Sequence, residues 1–235
     1  MKNVLTILLD GVAHGTIKRI VVGINWTFVE AENGCGLAQT PRRDAPGCQP
    51  IADAGNLTRL SLRQLALLIE STNPMEVAIG MAAINASYNR LDLDVEYGNG
   101  LDVFGQVDQS VTVVGRFPRL EERYLFLKVI EKEPCEGEFP ESMAKEILQS
   151  SRHSIITSST FVNGTAENMI SYAENGQIAI VGPGTPFCPG LFKLGVNVLS
   201  GLIIDDPQAA SRVVAEGGAV QGLKDVARYA NIRSG

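Results

Sequence analysis

Residue types that usually advertise chemistry are scarce in this chain. Its 235 residues include four cysteines, two histidines and one tryptophan, and aromatic side chains make up only 6%. No two of Cys35, Cys48, Cys135 and Cys188 stand in a C-x-x-C pair, and His14 and His153 lie far from them in sequence. The close ligand pairs of a structural zinc site are therefore missing. A chain of this length has a large core available and does not rest on a disulfide framework, so the thiols are expected to be free and mostly buried. Long apolar runs are lacking too. The run at residues 4–9 is halted by Asp10, short of a secretory h-region and of the ~20 residues of a membrane span. Basic residues are outnumbered, 20 against 26 acidic, for a formal net charge of −6, which argues against a basic nucleic-acid face. Four N-x-S/T sequons begin at Asn25, Asn56, Asn85 and Asn163; without an export signal they carry no expectation of glycosylation. The expectation is a cytoplasmic protein with no membrane or nucleic-acid partner, and a homo-oligomer stays open.

What the chain does have is 24 glycines and 11 prolines in a 45% hydrophobic composition, which points to a globule with many tight turns. Its length fits one large or two small domains. The first half opens with a short helix at 4–13 and a β-rich stretch at 20–31. Asn33-Gly34 is a hairpin turn signal, with 35–40 as the returning strand. A loop at 41–56 carries Arg42-Arg43. Helical spacing follows at 60–71 and 74–89. In the second of these Asn73 can cap, Pro74 sits at the first helical position and Glu76 completes a capping-box-like pattern. A strand meander followed by helices is an α+β unit. Residues 91–105 are acidic and contain glycine, and we place the boundary there, giving domains 1–98 and 99–235.

Beyond the boundary, strands and helices alternate. Strands are expected at 111–114, 124–130, 154–157, 177–181 and 198–204. Helices are expected at 141–150, from about 163, from 189, from 207 and at 223–230. This rhythm predicts a largely parallel sheet with right-handed crossovers. Ligands of such sheets bind beyond the carboxyl ends of the strands. Those ends carry four loops: Gly115 to Pro118, Ser158 to Thr165, Gly182 to Gly190, and Asp205-Asp206-Pro207. Helix N-termini there present unpaired N–H groups and a partial positive charge. Asn163 can cap its helix and Gly164 permits close approach. Hydroxyls at Ser158, Ser159, Thr160, Thr165 and Thr185 and the Arg116 guanidinium suit a polar or anionic ligand. The same residues are also ordinary βα-turn residues. Gly182-x-Gly184 with Asp205 outlines a dinucleotide fingerprint, but Phe187 replaces the third glycine and Pro183, Pro186 and Pro189 remove amide donors. Cys188 stands before Pro189, where a helix N-cap can lower a thiol pKa, though a buried thiol is the simpler reading. His153 begins a strand and reads as structural, and Trp26 reads as core. If 20–31 were one strand, Asn25 and Thr27 would share a face, turned to a cleft or to solvent.

Specific strings carry a resemblance. Gly23-Ile24-Asn25-Trp26-Thr27, then Asn73-Pro74 running into Gly80-Met81-Ala82-Ala83-Ile84-Asn85-Ala86, resemble the N-terminal domain of a prokaryotic family known as putative heavy-metal chelation. Gly115-Arg116-Phe117-Pro118, Thr160-Phe161-Val162-Asn163-Gly164-Thr165, and Gly182-Pro183-Gly184-Thr185-Pro186 with Pro189-Gly190-Leu191-Phe192 resemble its C-terminal domain. Leu194-Gly195-Val196-Asn197 and Asp206-Pro207 continue the match. The resemblance implies an α/β fold: a small α+β domain like the N-terminal domain of enolase, then a Rossmann-like, mostly parallel domain. It also implies a site between the two. Here position 188 is Cys where a small hydroxyl residue is expected, and position 116 is Arg where His is common.

The resulting expectation is a protein that binds or processes a small anionic or heterocyclic, pterin- or flavin-like, metal-chelating molecule in the interdomain cleft. The ligand-binding candidates are Asn25, Thr27 and Asn85 from the first domain. From the second they are Arg116, Thr160, Asn163, Gly164, Thr165, Gly182, Pro183, Gly184, Thr185 and Pro186. The cofactor is open; a heavy metal such as molybdenum, or the chelator itself, is what the resemblance implies. No base or nucleophile can be assigned, so whether a reaction occurs stays open. Two other readings stand beside it: a non-catalytic metal-binding or metal-chaperone protein using the cysteines and histidines, and a nicotinamide-dependent oxidoreductase.

Overall fold

The structure, a computed structural model, describes residues 3–42 and 50–235. Arg43 and Cys48, both named above, lie outside the described residues. The chain forms a three-stranded sheet and an eight-stranded sheet with helices packed between and around them.

Helix α1 (Val4–Asp10) starts on Asn3, whose Oδ1 accepts from the Thr6 amide at 2.8 Å, and stops at Gly11, earlier than the expected end at 13. The β-rich stretch is two strands, not one. β1 (Ile17–Val22) and β2 (Trp26–Ala31) pair antiparallel, and the Gly23 amide donates to Trp26 O at 2.9 Å to close the turn between them. Glycine is needed there, because a Cβ on Gly23 would lie 2.2 Å from Val214 O. The Asn33-Gly34 turn leads into β3 (Cys35–Gln39), antiparallel to β2.

Residues 60–71 form two short elements instead of one helix. α2 (Leu62–Ala66) carries a reciprocal Ser61–Gln64 capping box and runs into a tighter 3₁₀ turn, Leu67–Glu70. α3 (Pro74–Tyr88) begins on Asn73 as the sequence predicts, with Asn73 Oδ1 accepting from the Met75 amide. Glu76 completes no capping box. Its two carboxylate oxygens accept instead from the Ala52 amide at 2.8 Å and the Ser71 hydroxyl at 2.6 Å. From Ala78 to Ser87 every residue of α3 is buried, the signature of a helix covered on all sides. Its Ile79, Met81, Ala82 and Ile84 share one apolar cluster with Val29 and Ala38 of the small sheet and with Ile156, Ile180 and Leu199 of the large one. α3 is thus the core element common to both sheets.

The large sheet contains β4 (Glu96–Tyr97), β5 (Val111–Val114), β6 (Leu127–Glu131) and β7 (Phe139–Pro140). After α4 (Ala144–Gln149) come β8 (His153–Thr157), α5 (Ser159–Val162), α6 (Ala166–Tyr172) and β9 (Gln177–Val181). β10 (Val196–Ile204), α7 (Pro207–Ala215) and β11 (Ala227–Arg233) complete it. The spatial order is β4-β11-β10-β9-β8-β5-β6-β7. Strands β10 through β7 run parallel, while β11 and β4 add an antiparallel edge. Residues alternate between faces as pleating requires: Ile156, Ile178 and Ile180 face α3 and α6, whereas Val113, Ile155 and Ala179 face the irregular segment carrying Leu101, Leu120 and Tyr124.

Two further expectations fail. Residues 223–230 are not an amphipathic helix. β11 pairs seven residues with β10, from Ala227 opposite Ile204 to Arg233 opposite Val198. The long free flank of β10 supplies those partners, and tertiary pairing overrides helix propensity. The polar stretch after β8 is not an open loop either, since its start folds into the single turn of α5. α7 starts at Pro207 as expected, and Asp206 caps it by accepting from the Ala209 amide at 2.9 Å. Among the described residues no helix is long and apolar enough to cross a membrane.

Candidate functional site

Because β5, β6, β8, β9 and β10 are parallel neighbours, their carboxyl ends share one edge of the sheet. The small sheet and α3 cover part of that edge and leave part open. The open part is a cavity of about 730 Å³. Its wall on the small-sheet side comes from Gln39, Thr40, Pro41 and Arg42 after β3, and from Thr72, Pro74 and Val77 around the start of α3. The opposite wall is the end of β5 with Gly115 and Arg116, and the end of β6 with Glu131, Lys132 and Glu133. Ser159, Thr160, Val162, Asn163 and Thr165 around α5 close the remaining side, with Glu141 at the rim.

The local chemistry of these residues is well defined. Gly115 adopts φ +99°, and its amide donates to Ile130 O at 2.9 Å, so the chain turns sharply off β5 and sends Arg116 over the rim. The Arg116 guanidinium lies against Glu138, with Nε to Oε1 at 2.9 Å and Nη2 to Oε2 at 2.5 Å, and Nη2 also donates to Glu133 O and Cys135 Sγ. This fork and the Cys135 amide hold the Glu138 carboxyl down at about 2, and the fork raises the pKa of Arg116. Arg42 is held more loosely, 3.8 Å from Glu133, with both side chains 87% exposed. Thr160 is buried and donates to Thr157 O at 2.7 Å. Asn163 does not cap α6. Its Oδ1 accepts from the amide and hydroxyl of Thr165, which fixes the turn around Gly164 at φ +77°.

The sequence candidates therefore divide. Arg116, Thr160, Asn163 and Thr165 line the cavity, with Gly164 between the last two. Asn25, Thr27, Asn85 and residues 182–186 do not line it. Asn25 sits in the β1–β2 turn and donates to Gly217 O at 2.8 Å. Thr27 is buried behind the cavity wall, its hydroxyl 3.0 Å from that of Thr40. Asn85 is buried and donates to Leu37 O at 2.6 Å and Gly184 O at 2.8 Å. Gly182, Gly184, Thr185 and Pro186 are buried, and Pro183 is half-buried. Asn89, at the end of α3, grips the same loop. It donates to Thr185 O and Leu202 O and accepts from the Phe187 amide. The Thr185 amide donates to Gly182 O, so the loop's backbone is tied into the fold, while the buried Thr185 hydroxyl and Asn85 Oδ1 have no hydrogen-bond partner among the described residues.

Thr40, Thr72 and the β6 end were missed by sequence reasoning. The β6 end was findable by the same rule that named the other loops, since a parallel strand ending at Glu131 delivers its next residues to the common edge. Thr40 and Thr72 had no sequence signal; only the docking of the small sheet brings them there. Arg42, from the loop that carries the Arg42-Arg43 pair, does line the cavity.

A second cavity, about 910 Å³, lies between α1, α6 and the 3₁₀ turn Pro189–Leu194. Cys188 and Tyr88 line it, and burial pushes the pKa of both side chains up. The described cysteines Cys35, Cys135 and Cys188 are all free. Among the described residues no group of three or more His, Cys, Asp or Glu side chains converges closely enough to hold a metal ion. His153 packs edge-on against Phe104, with ring centroids 5.0 Å apart.

Comparison with known proteins adds a family. A sequence model described as "Putative heavy-metal chelation" matches residues 101–233, and a second with the same description matches residues 6–88. Among solved structures, a protein with unknown function from Desulfitobacterium hafniense, assigned to the family matched at 101–233, aligns with a TM-score of 0.86. It is 29% identical, with 98% of each chain covered. A second such protein, from Pyrococcus horikoshii, aligns with a TM-score of 0.80 over 98% of each chain. At 19% identity it shows the fold alone. No curated protein matches significantly.

Proposed function

The chain belongs to the family described as "Putative heavy-metal chelation", and from that premise we propose that it binds or processes a small anionic or heterocyclic metal-chelating molecule in the cleft between its two sheets. The observation that carries this reading is the cavity of about 730 Å³ at the carboxyl edge of the parallel sheet. That is the edge where open α/β sheets take ligands, and the volume is in the range of small-molecule sites. Val77, Val114, Ile130 and Val162 give the cavity an apolar lining, while Thr40, Ser159, Thr160, Asn163 and Thr165 supply hydroxyls and an amide. Arg116 and Arg42 supply positive charge at its rim. We divide the chain at residues 1–98 and 99–235, so that each unit contributes one wall.

The donor set does not suit a bare metal ion. Among the described residues the cavity offers Glu131, Glu133 and Glu141 but no thiol or imidazole, and no metal-binding constellation forms among them. A heavy metal, softer than Ca²⁺ or Mg²⁺, favours sulfur and nitrogen ligands. In this reading the organic molecule, not the protein, holds the metal, and the protein's residues bind and orient that molecule.

Mass spectrometry of the protein, purified and then denatured, tests the reading. A small molecule should be released from the wild-type chain and be absent from a Val77→Trp variant, whose indole intrudes into the cavity, while circular dichroism of the two stays alike. Retention by Val77→Trp would place the molecule elsewhere. Tight stoichiometric binding of Zn²⁺, Ni²⁺ or molybdate by ligand-free protein, lost on Cys→Ser substitution, would favour a metal carrier instead.

A further inference from the structure

Among the described residues, three cationic side chains line the cleft: Arg42, Arg116 and Lys132. They are not equally available. Arg116 has both hydrogens of Nη2 and the one on Nε directed at Glu138, Glu133 O and Cys135 Sγ. A ligand anion could take the Nε–Nη2 edge of this guanidinium only by breaking a bidentate carboxylate pair, the strongest form of such a contact. The two Nη1 hydrogens make no hydrogen bond among the described residues, but the charge is already neutralised by Glu138. Arg42 makes no hydrogen bond among the described residues, and its contact with Glu133 at 3.8 Å is a bare ion pair between two well-exposed side chains. Pairs of that kind contribute little and exchange partners readily. Lys132 forms no ion pair among the described residues, and its backbone amide is fixed by Glu131.

The placement of these cations matters as much as their freedom. Arg42 rises from the chain after β3, on the small-sheet side, and Lys132 from the end of β6, on the large-sheet side. Between them lies an apolar lining of Val77, Val114, Ile130 and Val162. Arg42 reaches across to within 3.8 Å of Glu133, the residue after Lys132, so an anion held by Arg42 lies beside the segment that carries Lys132.

We infer that the anion-recognising group of the cleft is Arg42, assisted by Lys132 and not by Arg116, and that the occupant is an organic oxyanion, a carboxylate or phosphate ester, with an apolar body. This rests on the cleft reading above. Glu133 is then the internal stand-in for the ligand anion: it neutralises Arg42 in the free protein and is displaced on binding. The guanidinium suits this role because its planar fork matches either oxyanion in two-point contact, which an ammonium cannot do.

NMR on the full chain tests the inference, with valine and isoleucine methyls and arginine Nε–H groups labelled. The probes are quinoline-2-carboxylate, its neutral carboxamide, phenyl phosphate and inorganic phosphate. The expected result is that an organic oxyanion shifts both the Arg42 Nε–H signal and the methyls of Val77, Val114, Ile130 and Val162, leaving the Arg116 Nε–H signal in place. The carboxylate should bind at least about tenfold more tightly than the carboxamide. Arg42→Gln should erase that difference, Arg42→Lys should restore part of it, and Glu133→Gln should tighten the carboxylate a few-fold by removing its competitor. Preference for phenyl phosphate over the carboxylate would specify the oxyanion as a phosphate. Binding of inorganic phosphate without methyl shifts would remove the apolar-body half of the inference. If the methyls shift but carboxylate and carboxamide bind alike, or Arg116 and not Arg42 responds, the assignment of Arg42 is overturned while the cleft reading stands. If no probe shifts either the methyls or Arg42, both fall together.

Discussion

Two segments at the same edge of the large sheet are both built mainly of turn-forming residues and have opposite fates. Residues 182–188, after β9, and residues 158–165, after β8, are both rich in Gly, Ser, Thr or Pro, and both follow a buried parallel strand. The first is buried and held by Asn85 and Asn89 of α3. The second lines an open cavity with Ser159, Thr160, Asn163 and Thr165. What separates them is how the small sheet and α3 lie: Asn85 and Asn89 close over the β9 loop, whereas the packing of α3 and β3 on α5 leaves a gap toward the β5 and β6 ends. Turn composition marks where a chain must bend; it does not say whether the bend will be packed or left to a ligand.

This contrast can be broken most sharply at the packed end. Asn89→Ala would leave Thr185 O, Leu202 O and the Phe187 amide without the partners they have now. A buried polar group left unpaired costs about 1–3 kcal/mol, so a loss of about 3 kcal/mol or more in unfolding free energy is expected from denaturant titration. A loss below about 1 kcal/mol would mean the loop holds itself.

Glycine substitutions compare the two segments directly. Gly182 has φ +140°, and a Cβ there would come 2.4 Å from Ser158 Oγ. Gly164 has φ +77°, and a Cβ there would meet no atom within 4 Å. Gly182→Ala should therefore cost about 2 kcal/mol through strain and crowding together. Gly164→Ala should cost only about 1 kcal/mol, from the backbone conformation alone. Thermal or chemical denaturation of the pair checks the order; equal losses would erase the distinction between packed and open.

At the open end the effects should shift from stability to occupancy. Thr165→Val removes a hydroxyl whose partner is its near neighbour Asn163, at a cavity rim. Stability should change by no more than about 0.5 kcal/mol, the usual range for surface sites, while the amount of co-purifying small molecule should fall. A stability loss without a fall in occupancy would make Thr165 a packing residue.

The smallest expected effect is electrostatic. Glu138 titrates at about 2 because Arg116 and the Cys135 amide stabilise its charged form. A carboxyl whose pKa is depressed by folding stabilises the fold above its unfolded value, ordinarily about 4.3. That contribution fades as pH falls through the folded value of about 2. Acid titration from pH about 4.3 downward should show a small loss, weaker in high salt and absent in Glu138→Gln. An unchanged acid profile in that variant would detach the Arg116–Glu138 fork from stability.

Much of the fold was legible in the sequence because local rules govern it. Asn73-Pro74 fixed the start of α3, Asn33-Gly34 the β2–β3 hairpin, and Asp206-Pro207 the start of α7. The alternation after residue 110 read out the parallel sheet. The exceptions share a cause. β11 looked helical because its pairing partner, β10, is a neighbour only once the sheet forms. Glu76 looked like a capping residue until Ala52 and Ser71 came within reach.

The candidate site shows the same division. The chain's own order of residues determined the family, the α/β class, the glycine turns and the oxygen- and nitrogen-bearing loops at the strand ends. It could not determine which of those loops would stay open, because that depends on where a separate sheet lands and how far α3 reaches. Asn85 and Asn89 turn the Gly182 loop into core, while Thr40 and Arg42 meet the ends of β5 and β6 only across the gap between the sheets. Spacing along the chain sets bends and caps, since those act over a few residues; burial and cavity shape are set by contacts between residues far apart in sequence, which exist only after the two sheets have closed on α3.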